Sequence, residues 1–392
     1  MFLKGPRKIL LLSGAPHVGK TTLIEFLYKQ LRDLKLPYHL TGFITKELRE
    51  EGERIGFDLC YLRDQTLVIP LARRQKFVTS QDKKYQVGRY IVFPKNLEKM
   101  LEIIEGDLSQ ATLEPLLIVD EIGKMELLSE KFISFIEQLR REGYFFIATL
   151  GRGEHPLLKS WSNLEEALHI EVTPENRDFL RNRLMIEFHR KGKLFVLEGI
   201  DGVGKTTLFQ YLREDPDFSS VIFSQEPTLG PYGQKLRKLL TEGKRVSQEE
   251  LLELFLQDRR EHVEKLILPA LSQGKIIFLD RYYLSTVAYQ GVEIGDLHYL
   301  LKRNETFAPL PDLVLYLDLP VPFALKRISG RDLKRSLFER EELLQRIAQN
   351  YERILPLFQH LKLSGNRSPE ELYREIKGLL VKEISPSPYY SQ

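Results

Sequence analysis

The chain has 392 residues, 42% hydrophobic and 29% charged, with a formal net charge of +3. That length exceeds one ordinary core and argues for two or three domains, and the composition is that of a globular protein, not a disordered or fibrous one. No apolar run approaches the roughly 18 residues of a membrane span, the 58 basic residues form no stripe suited to nucleic acid, and the lone Cys60 has no disulfide partner, so the cytoplasm is the expected compartment.

The opening "MFLKGPRKILLLSGAP" has basic residues before an apolar run, but the run is short and enters a glycine loop, which predicts a buried first strand and no leader peptide. "KTTLIEFLYKQLRDL" then places Leu23, Phe26, Leu27 and Leu31 on one helical face. "TGFITKELREEGERIGFDLCYLR" alternates as hairpins on one flank of a sheet would. "EPLLIVDEIG" is the continuous apolar run of a parallel strand covered on both faces. "SEKFISFIEQLRREG" opens on a capping serine, Ser129, and closes on a glycine, and "YFFIATL" is a further strand. The charged stretch "PENRDFLRNRLMIEFHRKG" predicts a helix.

Beyond it the pattern starts again: strand "KLFVLEGID", helix "KTTLFQYLRE", strand "KIIFLDRYY", strand "DLVLYLDLP". Strands alternating with helical segments predict an α/β fold with a mainly parallel sheet in each half. The expected division is residues 1–180, a helical linker at 181–191, a second domain at 192–383 and a tail at 384–392. The halves share a fold type but little else aligns, so a recent duplication is not the source.

Residues 14–22 read "GAPHVGKTT" and residues 199–207 read "GIDGVGKTT". Each matches G-x-x-x-x-G-K-[ST] between a strand and a helix, the setting of a phosphate-binding loop. Glycines there let successive backbone N–H groups face phosphate oxygens at the positive end of the next helix. The candidate nucleotide-binding residues are Gly14, Ala15, Pro16, His17, Val18, Gly19, Lys20, Thr21 and Thr22 in one half. In the other they are Gly199, Ile200, Asp201, Gly202, Val203, Gly204, Lys205, Thr206 and Thr207. Lys20 and Lys205 are expected on the β- and γ-phosphates, and Thr21 and Thr206 on Mg²⁺. An aspartate follows at a later strand end in each half, Asp120 and Asp280, where ligands of open α/β sheets bind.

The next residue separates the halves. Glu121 is a carboxylate that can orient and deprotonate water, which suits hydrolysis. Arg281 can hold a dianionic acceptor by paired hydrogen bonds, and a phosphate acceptor is already an ionised nucleophile that needs no base. Lys20, Glu121, Lys205 and Arg281 are thus the candidate catalytic residues, with Thr21, Asp120 and Thr206 as candidate metal ligands.

Residues 192–383 resemble thymidylate kinase through "EGIDGVGKTT", "EPTLGPYGQKLRKLL", "FLQDRREH", "DRYYLSTVAYQG", "PDLVLYLDLP" and "RISGRDLKRSLFE". The resemblance implies that dTMP and ATP give dTDP and ADP with Mg²⁺, in a homodimer formed through this half. It implies that Arg281 grips the acceptor phosphate, Phe255 stacks on thymine and Arg259 bonds the base edge. Tyr289 would crowd the sugar, Gln290 would sit against the base, and Asp201 would lie near the acceptor sugar and the metal. The loop lacks an arginine, which in this family goes with basic residues in a closing lid; Arg331 and Arg335, beside Arg327 and Lys334, are the candidates. The chain departs from the usual bacterial "TREPGG" in reading "SQEPTL", with Gln225 for arginine and Thr228 for glycine.

Residues 6–180 resemble a small family of nucleoside triphosphatases, sometimes called cancer-related, through "SGAPHVGKTTL", "TGFITKELREEGERIGFDL", "VGRYIV", "LIVDEIGKMEL" and "EVTPENRDFL". That implies slow hydrolysis of several NTPs with little base preference. Where members commonly read "HRR", this chain has "LGRGEHP", with Arg152 as one available cation; His17 and Trp161 are expected to fill shape. The resulting expectation is a bifunctional enzyme. Two alternatives stand beside it: a first half acting as a nucleotide-dependent switch or docking module, and a second half phosphorylating another monophosphate.

Overall fold

The computed structural model describes residues 5–34, 38–78, 85–242, 246–328 and 337–384. They form two compact units, one spanning Arg7–Phe188 and the other beginning at His189. Both are α/β, with sheets flanked by helices.

The first unit holds nine strands: β1 (Ile9–Ser13), β2 (Tyr38–Glu50), β3 (Glu53–Tyr61), β4 (Val68–Arg74), β5 (Gln86–Val87), β6 (Tyr90–Val92), β7 (Glu114–Ile122), β8 (Phe145–Leu150) and β9 (Ala167–Glu171). Their order in the sheet is β5-β6-β4-β3-β2-β7-β8-β1-β9. The pairs from β2 through β7, β8 and β1 to β9 are parallel, and those from β2 through β3, β4 and β6 to β5 are antiparallel. The alternating segment thus forms the antiparallel flank. Its first hairpin turns at Glu51 (φ 48°) and Gly52 (φ 79°), the paired positive φ values that match the twist of a two-residue hairpin loop.

Leu23, Ile24, Leu27, Tyr28 and Leu31 of the helix Lys20–Asp33 are buried. Phe26 lies at the margin of that stripe, where the Arg181 guanidinium covers its ring at 4.3 Å. Ser129 caps the helix Glu130–Glu142 by accepting from the Phe132 N–H at 3.2 Å, and Gly143 ends it at φ 70°. Trp161 is fully buried, edge-on to Phe146, and its Nε1–H donates to Glu137 Oε1 at 2.6 Å. The charged segment before the second unit forms the helix Arg177–His189, which buries Leu180, Leu184 and Phe188.

The second unit has a wholly parallel five-stranded sheet of β10 (Lys193–Glu198), β11 (Val221–Gln225), β12 (Ile276–Asp280), β13 (Leu313–Asp318) and β14 (His360–Ser364). The order is β11-β12-β10-β13-β14. Here the aspartate-bearing β12 lies directly beside β10, which feeds the loop. In the first unit β8 stands between the corresponding β1 and β7. Among the described residues no helix is long and apolar enough to cross a membrane.

Candidate active sites

In the first unit β1 runs into the glycine loop and the loop into the helix Lys20–Asp33. A side chain at Gly14 (φ 150°) would place its Cβ 2.3 Å from the Val172 carbonyl oxygen, and Gly19 sits at φ 101°. Glycine is the residue both conformations require. Lys20 Nζ donates to the Gly14 and Ala15 carbonyl oxygens at 3.2 Å each. Asp120, 2% exposed, accepts from Thr149 Oγ1 of β8 at 2.5 Å. Burial pushes its carboxyl up to about 6, against Thr149, Thr21 and the Lys20 charge, which hold it down. Its Oδ2 is buried with no hydrogen-bond partner among the described residues.

Glu121 turns toward two glycines. A Cβ on Gly123 would come within 2.4 Å of Glu121 Oε1 and 2.8 Å of Glu126 Oε2, and one on Gly151 within 3.1 Å of Glu121 Oε1. The absence of side chains at 123 and 151 is what gives Glu121 its place. Burial raises the Glu121 carboxyl while Lys20 opposes the rise. Glu126 is pushed well above the carboxylate range by burial and then by Glu121. These groups line a cleft of about 790 Å³ that runs from the loop past Glu121 to Arg54, Phe57 and Val87. Pro16, His17, Thr22 and Arg152 line it as well, and Arg152 pairs with Glu171 at 3.2 Å. Ala15 and Val18 complete the loop, Val18 buried.

The second loop repeats the first. Lys205 Nζ donates to the Gly199 and Ile200 carbonyl oxygens at 2.8 Å each. Gly199, Gly202 and Gly204 have positive φ, and Ile200 and Val203 are buried. Burial, and then repulsion from Arg281, push the Lys205 ammonium down to about 7. Thr206 and Thr207 open the helix with exposed side chains. Asp280 closes β12 with Oδ1 buried and unpartnered among the described residues. Burial raises its carboxyl against the nearby Lys205 and Arg281 charges.

Arg281, Asp201 and Tyr289 come together as one cluster. Arg281 Nη2 donates to Asp201 Oδ1 and, at 3.4 Å, to the Tyr289 hydroxyl; its Nη1 donates to Ser285 Oγ at 2.9 Å. The Arg281 backbone is left-handed (φ 67°), a cost of about 1 kcal/mol or more for a residue with a Cβ. Two bonds hold it there: its N–H donates to the Leu197 carbonyl at 3.0 Å, and the Tyr282 N–H to Glu198 Oε1 at 2.9 Å. Glu198 is fully buried and also accepts from Ser285 Oγ (2.6 Å) and the Tyr351 hydroxyl (2.8 Å).

Phe255 is half-buried and Arg259 is 2% exposed, one turn apart on the helix Gln248–His262. The Arg259 donors reach Glu226 Oε2 at 2.8 Å, Thr286 Oγ1 at 2.9 Å and Asn304 Oδ1. Gln290 is 8% exposed, and its Oε1 has no partner among the described residues. Thr228, which replaces a glycine of the usual motif, ties its loop to that helix: its N–H donates to Asp258 Oδ2 at 2.8 Å and its hydroxyl to Asp258 Oδ1 at 2.5 Å. Gln225 lies opposite Asp280 in the sheet register. Arg331, Lys334 and Arg335 lie outside the described residues. Arg327 is described, and donates to the Val203 carbonyl at 3.3 Å and the Gly365 carbonyl at 3.1 Å.

Sequence reasoning missed Thr149, Glu126, Glu198, Ser285, Tyr351 and the partners of Arg259. Glu198, Ser285 and Glu126 stand inside the motifs and were open to the same reading as their neighbours. Thr149, Tyr351 and the partners of Arg259 reach their sites through long-range pairing.

Comparison with known proteins agrees with both halves. The family model for thymidylate kinase matches residues 197–376, and the model for an NTPase family matches residues 9–185. A thymidylate kinase of Desulfotalea psychrophila is 46% identical over 197 residues, 48% of this chain and 96% of that protein. One of Akkermansia muciniphila is 50% identical over 154 residues, 39% of this chain and 74% of its own. One of Xanthomonas euvesicatoria is 46% identical over 184 residues, 46% and 77% of the respective lengths. With a second phosphate loop, a buried strand-end aspartate and a clamped arginine all inside the matched stretch, the chain is an enzyme that belongs to the thymidylate kinase family through its second unit and carries an NTPase-family domain as its first.

Proposed function

We propose that the second unit transfers the γ-phosphoryl group of ATP to dTMP, giving dTDP and ADP, and that the first hydrolyses nucleoside triphosphates. The observation that carries this reading is the residue after each strand-end aspartate. Glu121 faces an open cleft with a carboxylate, whereas Arg281 presents a guanidinium held by Asp201, Ser285 and Tyr289.

In the second unit Arg281 holds the dTMP phosphate, and an oxygen of that phosphate attacks the γ-phosphorus in line. The bond from the γ-phosphorus to the β,γ-bridging oxygen breaks, and its electron pair leaves with ADP. No base is needed, because the nucleophile is already ionised. Lys205 neutralises charge on the transferring group. Phe255 stacks on the base, with Arg259 on the base edge and Gln290 against the base, and Tyr289 stands against the sugar. In the first unit water attacks the γ-phosphorus while Glu121 takes its proton; the bond from the γ-phosphorus to the β,γ-bridging oxygen breaks, its electron pair leaves with the nucleoside diphosphate, phosphate is released, and Lys20 plays the part of Lys205.

Both sites fit Mg²⁺. Asp120 Oδ2 and Asp280 Oδ1 are buried oxygens without partners among the described residues, hard donors of the kind this cation prefers, and Thr21 lies by Asp120. Thr21 with Asp120, and Thr206 with Asp201 and Asp280, would hold it. Bound there, the ion would neutralise phosphate charge and polarise the γ-phosphoryl group.

The test is product analysis on the full-length Lys205→Ala chain given Mg-ATP with and without dTMP, measuring free phosphate and dTDP. The expected outcome is dTDP formation down by about 10³-fold or more with phosphate release retained. Loss of both products would make the first unit a switch or an inert module.

A further inference from the structure

From the placement of Arg177 we infer that it forms the nucleobase platform of the first site, stacking its guanidinium on the base of the bound triphosphate whatever that base is. This rests on the reading that the loop at residues 14–22 binds a nucleoside triphosphate, and extends it to the part of the ligand that no loop residue reaches.

The direction of the triphosphate follows from the strand order. Lys20 and Asp120 mark the γ end, and Asp120 is carried on β7, two places to one side of β1. The nucleoside therefore leaves the loop on the other side, where β9 pairs with β1. The chain that follows β9 is clamped to the loop. Val172 donates its N–H to the Ser13 carbonyl at 2.7 Å, and its own carbonyl fills the space a Gly14 side chain would take. Thr173 and Asn176 then cap each other. The Thr173 N–H donates to Asn176 Oδ1 at 2.8 Å, and the Asn176 N–H to Thr173 Oγ1 at 3.3 Å; Asn176 Nδ2 also donates to the Glu171 carbonyl at 2.8 Å.

This turn delivers Arg177 to the loop. Its Cδ lies 3.7 Å from where a Cβ on Gly19 would project. One turn on, the Arg181 guanidinium covers the Phe26 ring at 4.3 Å, so this face of the helix meets the helix Lys20–Asp33 that follows the loop. The Arg177 side chain is exposed and has no hydrogen bond or ion pair among the described residues. The second unit repeats the placement independently: Arg327, from the helix after β13, puts Nη1 3.9 Å from a Cβ built on Gly204. In both units the arginine comes from the helix after the strand that flanks the loop strand on the side away from the aspartate. A planar cation stacks on any base, because every base offers a π face, so such a platform binds without choosing among bases.

The test is equilibrium binding of mant-ATP to the full chain carrying Lys205→Ala, displaced in turn by ATP, CTP and inorganic tripolyphosphate. Adding Arg177→Ala is expected to weaken ATP and CTP by about tenfold each and to leave tripolyphosphate unchanged. Arg177→Lys, which keeps the charge but loses the planar face, is expected to be as weak as the alanine variant. Equal weakening of tripolyphosphate would make Arg177 a phosphate ligand and overturn the inference. So would rescue by lysine, or unchanged nucleotide affinity. Because the readout is binding, a site that turns nothing over would still report on Arg177. Failure of the hydrolytic reading shows separately, as missing phosphate release.

Discussion

The two loops match in their internal bonding, the lysine of each donating to the same two loop carbonyls, yet the sheets beneath them differ by one strand in the spacing from loop strand to aspartate strand. In the second unit the aspartate strand adjoins the loop strand, so Asp280 and Arg281 press directly against the loop, and the Arg281 N–H reaches the Leu197 carbonyl at 3.0 Å. In the first unit β8 intervenes. It carries Thr149 to Asp120 at 2.5 Å, and the wider spacing goes with a cleft that Glu121 lines. On the function proposed above, the same cradle would serve two acceptors because strand order sets how much room lies beside the γ-phosphate. Adjacent strands would leave space for a clamped phosphate, and separated strands for water and its base.

The sharpest way to break this comparison is Glu121→Gln. It keeps the shape and removes the base, so phosphate release without dTMP is expected to fall by about 10²- to 10³-fold, with dTDP formation unaffected. An equal loss of both activities would mean that the units do not divide the chemistry as their strands suggest. Next in size is Glu198→Gln. It leaves an oxygen for the Tyr282 and Ser285 N–H groups but takes the negative charge away from behind Arg281. A rise of about 10- to 100-fold in KM for dTMP with a smaller change in kcat would mark it as a positioning residue. A loss confined to kcat would contradict that role.

Thr149→Val tests the intervening strand itself. It deletes the donor to Asp120 Oδ1 with little change of volume, and NTP hydrolysis is expected to fall by about tenfold while the kinase, which has no counterpart, is untouched. The smallest effect on turnover is expected of Glu226→Gln, whose signature is in stability. Burial alone would raise the Glu226 carboxyl, but Arg259 and His262 hold it below the ordinary range. Its contribution is therefore fully present above the usual glutamate value and is lost as pH falls through the lowered one. The gap in urea midpoint between wild type and variant should be widest near neutral pH and close as the solution is acidified; a gap that widens in acid would reverse the assignment.

Much of this was legible in the sequence because the decisive chemistry is local. Each loop is nine residues, and Arg281, Tyr289 and Gln290 lie within ten of one another on one strand end and helix. The antiparallel flank showed in its alternation. What stayed hidden is long-range. The Tyr351 hydroxyl reaches Glu198 across 153 residues, and the Arg259 partners stand 27 to 45 residues away. No local pattern announces them. Nor does any periodicity say on which side of a parallel strand its neighbour will pair, so the strand between β1 and β7 could not be anticipated from "YFFIATL". Thr228 shows the same limit from the other side. As a departure from a motif it reads as a defect, but Asp258 makes it a latch.

Trp161, the single tryptophan of the chain, is wholly buried against Phe146 in the first unit. The protein therefore carries a built-in optical label for one of its two halves. Its emission follows the first unit alone, while far-ultraviolet circular dichroism follows both. Recording the two signals through one denaturant titration resolves two unfolding transitions without cutting the chain. Adding ATP or dTMP to that titration would then assign each ligand to the half it protects.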